Sequence, residues 1–341
     1  MRRKAAALGL ILALGMGLLA GCAGKQKNRY QISWLELFDT VTTVTGYAES
    51  EAEFSKTAEE IYRELETYDH LYDIYEEYPG MVNLCTVNRH PGETLKVDRR
   101  ILDLIRFGRE TDALSGHRVD ITFGAVLRIW HEAREQGILH PEAAALPEMK
   151  VLEEAAKHTG FGVIETDEEQ GTICLTDPEA SLDVGAIAKG YATEQVRRTL
   201  PEGWLLSVGG NVAASGPKPD GSRWTVGIQD PAGDGEGILH KVALAAGSVV
   251  TSGDYQRYYT VEGERYPHII DPGTLMPGKK WRAVTVLAEN SGLADALSTT
   301  LFLMDREEGQ ALLERFGAEA AWTGPDGKTV MSPGYAERII P

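Results

Sequence analysis

Two short stretches hold the residues best suited to chemistry. Asp183-Val184-Gly185-Ala186-Ile187-Ala188-Lys189-Gly190 places an acid, a permissive glycine, a lysine and a second glycine where a strand pattern gives way to a helix. Backbone N–H groups at a helix start point outward with the positive end of the helix dipole, and glycine lets a diphosphate approach the main chain. Lys189 adds a mobile positive charge. Taken alone, the stretch also reads as an ordinary strand-to-helix turn with a solvated lysine. The second stretch is Ala294-Asp295-Ala296-Leu297-Ser298-Thr299-Thr300. Residues four apart share a helical face, so Asp295 presents its carboxylate beside the Thr299 hydroxyl. That pair suits a hard cation: magnesium takes oxygen ligands and needs few protein groups when substrate phosphates complete the shell. The alternative is that Asp295 caps a late helix while Thr299 bonds back to a carbonyl one turn earlier.

Between them lie Val208-Gly209-Gly210-Asn211, Thr251-Ser252-Gly253-Asp254-Tyr255 and His268-Ile269-Ile270-Asp271-Pro272. Paired glycines permit close main-chain approach, and Thr251–Gly253 offers hydroxyls and free N–H groups near a turn. His268 is open to three readings: a general base, a ligand, or a hydrogen-bonded structural histidine.

Arg2, Arg3 and Lys4 precede an apolar run from Ala5 to Ala20, and Leu19-Ala20-Gly21-Cys22 follows, which reads as a lipoprotein signal with Cys22 as the lipidated residue. The run falls short of the ~20 apolar residues of a membrane span. The expected organisation is a signal over residues 1–21, a lipidated cysteine and tether over 22–29, and one large domain over 30–341. It places the protein on the extracytoplasmic face of the cell membrane. Loss of the three basic residues of the signal takes the formal net charge from −17 to −20. So acidic a body argues against nucleic acid as a partner, and an anionic ligand must be held by local devices such as a bound cation. Cys85 and Cys174 are expected as free thiols rather than a disulfide.

Periodicity predicts an opening strand around Ile32–Tyr47 and helices around Glu53–Tyr72, Arg99–Leu114 and Gly124–Arg134. Gly/Pro-rich turns then bracket short strands such as Trp224–Gln229 and Ile238–Ala245, and helices return near Leu293–Met304 and Arg306–Phe316. Helices and strands are segregated rather than alternating. The fold class is therefore α+β, with mixed or antiparallel sheets and packed helices in a single large two-lobed domain.

The set Asp183…Lys189-Gly190, Gly209-Gly210-Asn211, Thr251–Tyr255, His268-Ile269-Ile270-Asp271-Pro272 and Ala294–Thr299, in that order, resembles the FAD:protein FMN transferases, the ApbE family of flavin transferases, from about Phe38 to the C-terminus. The resemblance implies magnesium-dependent transfer of the FMN half of FAD to a threonine hydroxyl of an acceptor protein, with release of AMP. It also implies roles: Asp295, Thr299 and the Ala186 carbonyl as magnesium ligands; Asp183 and Lys189 against the flavin nucleotide; and further FAD contacts from Phe38, Tyr75, Arg118, Val119, Asp120 and Ile270. The family often has Met-Gly-Thr where this chain has Phe38-Asp39-Thr40, and Ala-Phe-Asp in place of Arg118-Val119-Asp120. The acceptor motif associated with the family ends in Ser/Thr-Gly-Ala-Thr, a tetrapeptide this chain lacks, so the target is another protein.

Phosphoryl transfer is catalysed mostly by positioning and charge neutralisation, which gives a metal and Lys189 the main work. A threonine hydroxyl is a weak nucleophile, and His268 or Asp271 is the candidate base. Two rivals share the residues: a magnesium-dependent FAD pyrophosphatase, with water as nucleophile, and a non-catalytic flavin-binding lipoprotein. Asp295 and Thr299 speak against the latter, because a reservoir need not bring a metal onto the scissile diphosphate. For the anchor, Cys22→Ser is expected to move the protein from the membrane fraction to the soluble fraction of fractionated cells; unchanged partitioning would remove the lipobox reading.

Overall fold

In the computed structural model, which describes residues 26–232 and 237–341, the central element is an eight-stranded sheet. Its spatial order is Asn28–Trp34, Thr42–Ala48, Trp204–Val208, Asn211–Ala214, Gly247–Gly253, Ala283–Ala288, Glu319–Thr323 and Thr329–Met331. Every neighbouring pair is antiparallel. The helices are α1 (Glu51–Tyr72), α2 (Leu84–Arg89), α3 (Arg99–Ser115), α4 (Gly124–Leu139), α5 (Met149–Ala155), α6 (Ala188–Arg197), α7 (Ser291–Leu303), α8 (Arg306–Phe316) and α9 (Pro333–Ala336).

α1 starts where its sequence provides caps: the Ser50 hydroxyl accepts the Glu53 N–H, and the Glu53 carboxylate accepts the Glu49 N–H. Phe54, Ala58, Ile61, Leu65, Tyr68 and Tyr72 form its buried stripe at helical spacing. Phe54 stacks on Trp204 of the sheet with ring centroids 5.3 Å apart and planes inclined by 3°. α7 behaves differently. It is capped by Asn290, whose side chain accepts the Leu293 N–H, and nearly all of its residues are buried, because it lies between α6 and the strands Gly247–Gly253 and Ala283–Ala288. On the opposite face of the sheet, the hairpin of Trp224–Gln229 and Ile238–Leu244 closes a second core with Val249, Leu287 and Tyr335. A smaller lobe forms where α4 packs on the hairpin of Tyr258–Val261 and Glu264–Pro267, around Trp130, Tyr259, Tyr266 and Ile270.

The architecture is the expected α+β domain, with differences at its edges. The single opening strand is two strands of a hairpin, with Asn28 opposite Ala48. Between them the chain makes a turn at Leu37–Asp39, where Phe38 and Asp39 adopt φ of 53° and 51°; Asp is among the types that tolerate a left-handed backbone, Phe is not. α4 runs past Arg134 to Leu139, because Gly137 leaves room for the Tyr259 ring against the helix. Cys85 and Cys174 are both free thiols. The expected signal and Cys22 lie outside the described residues, and among the described residues no helix is long and apolar enough to cross a membrane.

The contact between α1 and the sheet relies on Gly46, where a Cβ would lie 2.5 Å from the Trp204 ring. Gly46→Ala is therefore expected to displace the Trp204–Phe54 stack and destabilise the protein by about 1–3 kcal/mol, read as a lowered urea midpoint with an unchanged slope.

Candidate functional site

α6 and α7 pack so closely that a Cβ on Gly190 would collide with the Asp295 Cβ and the Ser291 carbonyl. The approach brings the Gly190 N–H onto Asp295 Oδ2 at 2.7 Å. Gly190 sits in the first turn of α6, where N–H groups have no partner within the helix. The Ala186 carbonyl, four residues before it, receives no backbone N–H among the described residues. Asp295 is 5% exposed. Burial pushes its carboxyl up from the usual range, while the Lys189 charge, the Gly190 N–H and the Asn211 side chain beside it pull it back down. The Asn211 amide nitrogen is itself buried without a partner in hydrogen-bond geometry.

Thr299 lies one turn further along α7. The Ser298 hydroxyl donates to the Asp295 carbonyl at 2.9 Å, so in its 2.7 Å contact with Ser252 it accepts the Ser252 proton. Ser252 then accepts from Thr299 across 3.2 Å. This ordering leaves the Thr299 oxygen lone pairs free. Asp295 is not the cap of α7, and the hydroxyls that bond back along the helix are those of Ser298 and Thr300, not Thr299. Asp295, Thr299 and the Ala186 carbonyl are thus oxygen groups with unused acceptor capacity, a donor set that fits a hard cation. Among the described residues no group of three or more His, Cys, Asp or Glu side chains is arranged to hold a metal ion.

Lys189 connects this pocket to the smaller lobe, since its charge acts on both Asp295 and His268. The backbone N–H and Nδ1 of His268 both meet the Arg257 carbonyl, at 3.0 and 3.1 Å. A carbonyl only accepts, so Nδ1 carries the proton and Nε2 keeps a lone pair. Burial first, then the charges of Arg257, Lys189 and Arg134, push the half-buried His268 imidazole down to about 3. It is therefore a neutral ring at ordinary pH. His268 shares the wall of a small cavity with Trp130, His131, Arg134, Tyr259 and Tyr266. Tyr75 meets His131 at that rim through a 2.9 Å contact between its hydroxyl and Nδ1. The Asp183 charge acts on both. The Asp183 N–H donates to the Ile121 carbonyl and its Oδ1 accepts the Gly185 N–H, which shapes the turn into α6.

The remaining residues are engaged elsewhere. Arg118 pairs with Glu308 at 3.0 Å and donates to the Ser115 carbonyl. Val119 is buried, and Asp120 accepts the N–H and hydroxyl of Thr122. Burial raises the Asp69 carboxyl to about 6, and the Phe38 backbone beside it acts in the opposite direction. Ile270 is packed in the core of the small lobe, and the Asp271 carboxylate accepts the Gly273 N–H of its own turn. Of the two candidate bases, His268 keeps a free Nε2, weakened as a base by the same burial and charges, and Asp271 has only its Oδ1 engaged. Sequence reasoning passed over His131, Arg134 and Arg257. The signal was present: His131 and Arg134 are three apart on one helix, and Arg257 follows Tyr255 by two.

The profile of the ApbE family matches residues 38–322. The chain belongs to the ApbE family. Over 97% of its length it is 29% identical to a FAD:protein FMN transferase of Treponema pallidum, covering 94% of that protein. A FAD:protein FMN transferase of Vibrio cholerae is 28% identical over 89% of the chain. Among solved structures, the ApbE protein of Thermotoga maritima superposes with a TM-score of 0.81 at 28% identity, over 92% of this chain and all of that one. The apo flavinyl transferase ApbE of Pseudomonas stutzeri gives 0.74 at 25%.

His268 carries a pH signature. Its folded-state value of about 3 lies below its ordinary 6.5, so between those values the unfolded chain binds the proton more readily. The stabilisation is fully present above pH 6.5 and is lost as pH falls toward 3. Urea midpoints measured from about pH 7 down to about pH 4 are expected to fall less steeply for His268→Gln than for the parent; equal slopes would show that His268 does not titrate this way.

Proposed function

We propose that this ApbE-family protein is a FAD:protein FMN transferase that, with magnesium, moves the FMN half of FAD onto a threonine hydroxyl of another protein and releases AMP. The observation that supports this best is the Gly190 N–H set on the buried Asp295 carboxylate, with Thr299 one turn further along α7 and the Lys189 charge acting on the same acid, because a diphosphate needs cation-binding oxygens and a positive charge together in an otherwise acidic body. Asp295, Thr299 and Ala186 would hold the magnesium ion, which when bound supplies charge neutralisation on the diphosphate.

The chain's own residues do the rest. Lys189 offsets phosphate charge from the helix start. Gly190 fixes the Asp295 carboxylate through its N–H, and Asn211 flanks it. His268 Nε2 takes the proton of the attacking threonine, held in orientation by the Arg257 carbonyl. The new bond runs from the threonine oxygen to the FMN phosphorus, and the bond to the AMP oxygen breaks. Asp183 and Tyr75 would line the flavin nucleotide, with Phe38 as a further contact. Asp120, Arg118, Val119 and Ile270 act through the framework, given where their atoms are engaged. The acceptor carries a Ser/Thr-Gly-Ala-Thr type sequence, and a lipid on Cys22 anchors the enzyme to the outer face of the cell membrane.

Incubating the protein with FAD, magnesium and an acceptor domain bearing that sequence is expected to add one FMN mass to the acceptor threonine, because a docked hydroxyl has an effective-concentration advantage over water. Asp295→Ala is expected to lower the rate by about two orders of magnitude or more with the fold intact by circular dichroism. Free FMN and AMP beside an unmodified acceptor would replace transfer by hydrolysis. Intact FAD throughout would leave flavin binding alone.

A further inference from the structure

The contact between the Gly190 N–H and Asp295 has a counterpart one turn away that runs in the opposite direction. Glu194 follows Gly190 by one turn of α6, and its Oε2 accepts the Ser291 N–H, the first of α7, at 2.9 Å. Ser291 precedes Asp295 by one turn, and its carbonyl lies against Gly190. Each helix therefore donates an N–H from its first turn to an acid on the other, Gly190 to Asp295 and Ser291 to Glu194, which fixes the two as an antiparallel pair in one register. The Ser291 hydroxyl is buried without a partner among the described residues, so the backbone N–H alone carries this second link.

Glu194 is itself held. Arg197 grips both of its carboxylate oxygens, Nε on Oε2 at 2.9 Å and Nη2 on Oε1 at 2.6 Å, and Nη1 of the same guanidinium donates to the Ala214 carbonyl at 3.4 Å. The side chains of Glu194 and Arg197 are 3% and 14% exposed. A buried ion pair is a weak source of stability, since desolvation offsets its attraction and apolar residues of similar volume often serve as well. What it supplies is geometry. A guanidinium fork holds a carboxylate in one orientation, and here the fork ties α6, the start of α7 and the end of the Asn211–Ala214 strand to one another.

We propose that Glu194, clamped by Arg197, is a positioning residue for the magnesium site: through the Ser291 N–H it sets the axial position of α7, and with it where Asp295 and Thr299 stand relative to α6 and the Ala186 carbonyl ahead of it. This rests on the reading of Asp295, Thr299 and Ala186 as the metal ligands. Magnesium demands a near-ideal octahedral shell, so a helix that slides against its neighbour spoils the site while every ligand is still present. Partners that orient metal ligands are worth about 10- to 100-fold in affinity. Glu194 acts through the helix, and its loss weakens metal binding without removing a ligand.

Ser291→Pro tests the link most directly. Proline is at home in the first position of a helix, and Asn290 before it, at φ −108° and ψ 127°, already has the extended backbone that proline requires of its neighbour. The substitution removes the N–H that Glu194 accepts and leaves the Glu194–Arg197 pair in place. Beside it stand Glu194→Gln, which keeps an acceptor for that N–H, the double variant Glu194→Leu with Arg197→Met, which keeps volume and removes the acceptor, and Gly46→Ala, a control whose lesion lies between α1 and the sheet. On the full-length proteins, with folding established by circular dichroism, magnesium affinity is measured by calorimetry and exchange of the Gly190 amide hydrogen by NMR on metal-free protein. Ser291→Pro and the double variant are expected to lose about tenfold or more in magnesium affinity and to exchange the Gly190 amide about tenfold faster. Glu194→Gln recovers most of both, and Gly46→Ala keeps the parent's magnesium affinity. Parental magnesium affinity in the folded Ser291→Pro and double variants would overturn the proposal while leaving the transferase reading in place. An equal loss in Gly46→Ala would also overturn it, since the effect would then be one of general stability. If Ser291→Pro does not fold, the double variant decides, because a buried pair exchanged for apolar residues of like volume leaves a fold intact. If the parent binds no magnesium, the metal reading falls, and Gly190 exchange at the parental rate in the variants would show separately that Glu194 does not hold the Asp295 contact.

Discussion

The buried contact between the Gly190 N–H and the Asp295 carboxylate is the interaction on which the site depends. A carboxylate removed from water is costly unless hydrogen-bonded or neutralised, and here its compensation comes from the first turn of a neighbouring helix, where an N–H lacks a partner. Satisfying both groups at once requires α6 and α7 to approach until no side chain fits at Gly190. The same bond leaves the Ala186 carbonyl without its N–H. One contact therefore packs two helices, orients an acid and exposes a second oxygen.

The large sheet explains how that contact is maintained. α7 is buried on nearly all sides, so its register against the strands Gly247–Gly253 and Ala283–Ala288 is set by close packing. Ser252 at the end of the first strand meets Ser298 and Thr299 as a consequence of that register. A hydroxyl chain of this kind assigns proton directions. It turns the Thr299 lone pairs outward and leaves the Asp295 main-chain carbonyl occupied.

The charge distribution divides the work between the two lobes. Lys189 acts on residues of both, on Asp295 in the body and on His268 in the small lobe. His268 is kept neutral by burial and by the cations around it, and the Arg257 carbonyl fixes which nitrogen is free. Burial thus moves both groups away from their charged forms, lowering the His268 imidazole and raising the Asp295 carboxyl, and the cations around them oppose the charging of the first while favouring that of the second.

Local order in the chain was enough to determine the α+β class, the main helices and the ordered motifs, because apolar periodicity and glycine-rich turns are short-range properties. Asp295 and Thr299 were legible for the same reason: a spacing of four on a helix is a geometric fact. Three things depended on tertiary structure. Asp295 was separated from a helix cap by Asn290, which takes that role. Arg134 and Arg257 are 123 positions apart in sequence, and only the packing of α4 on the Tyr258–Val261 strand makes their charges act on one histidine. Arg118 was drawn away to Glu308 on α8, a pairing no local pattern encodes. Periodicity reports which face of an element is buried; which two elements share that burial is decided by long-range packing, and electrostatics between side chains exists only once that packing has brought them together.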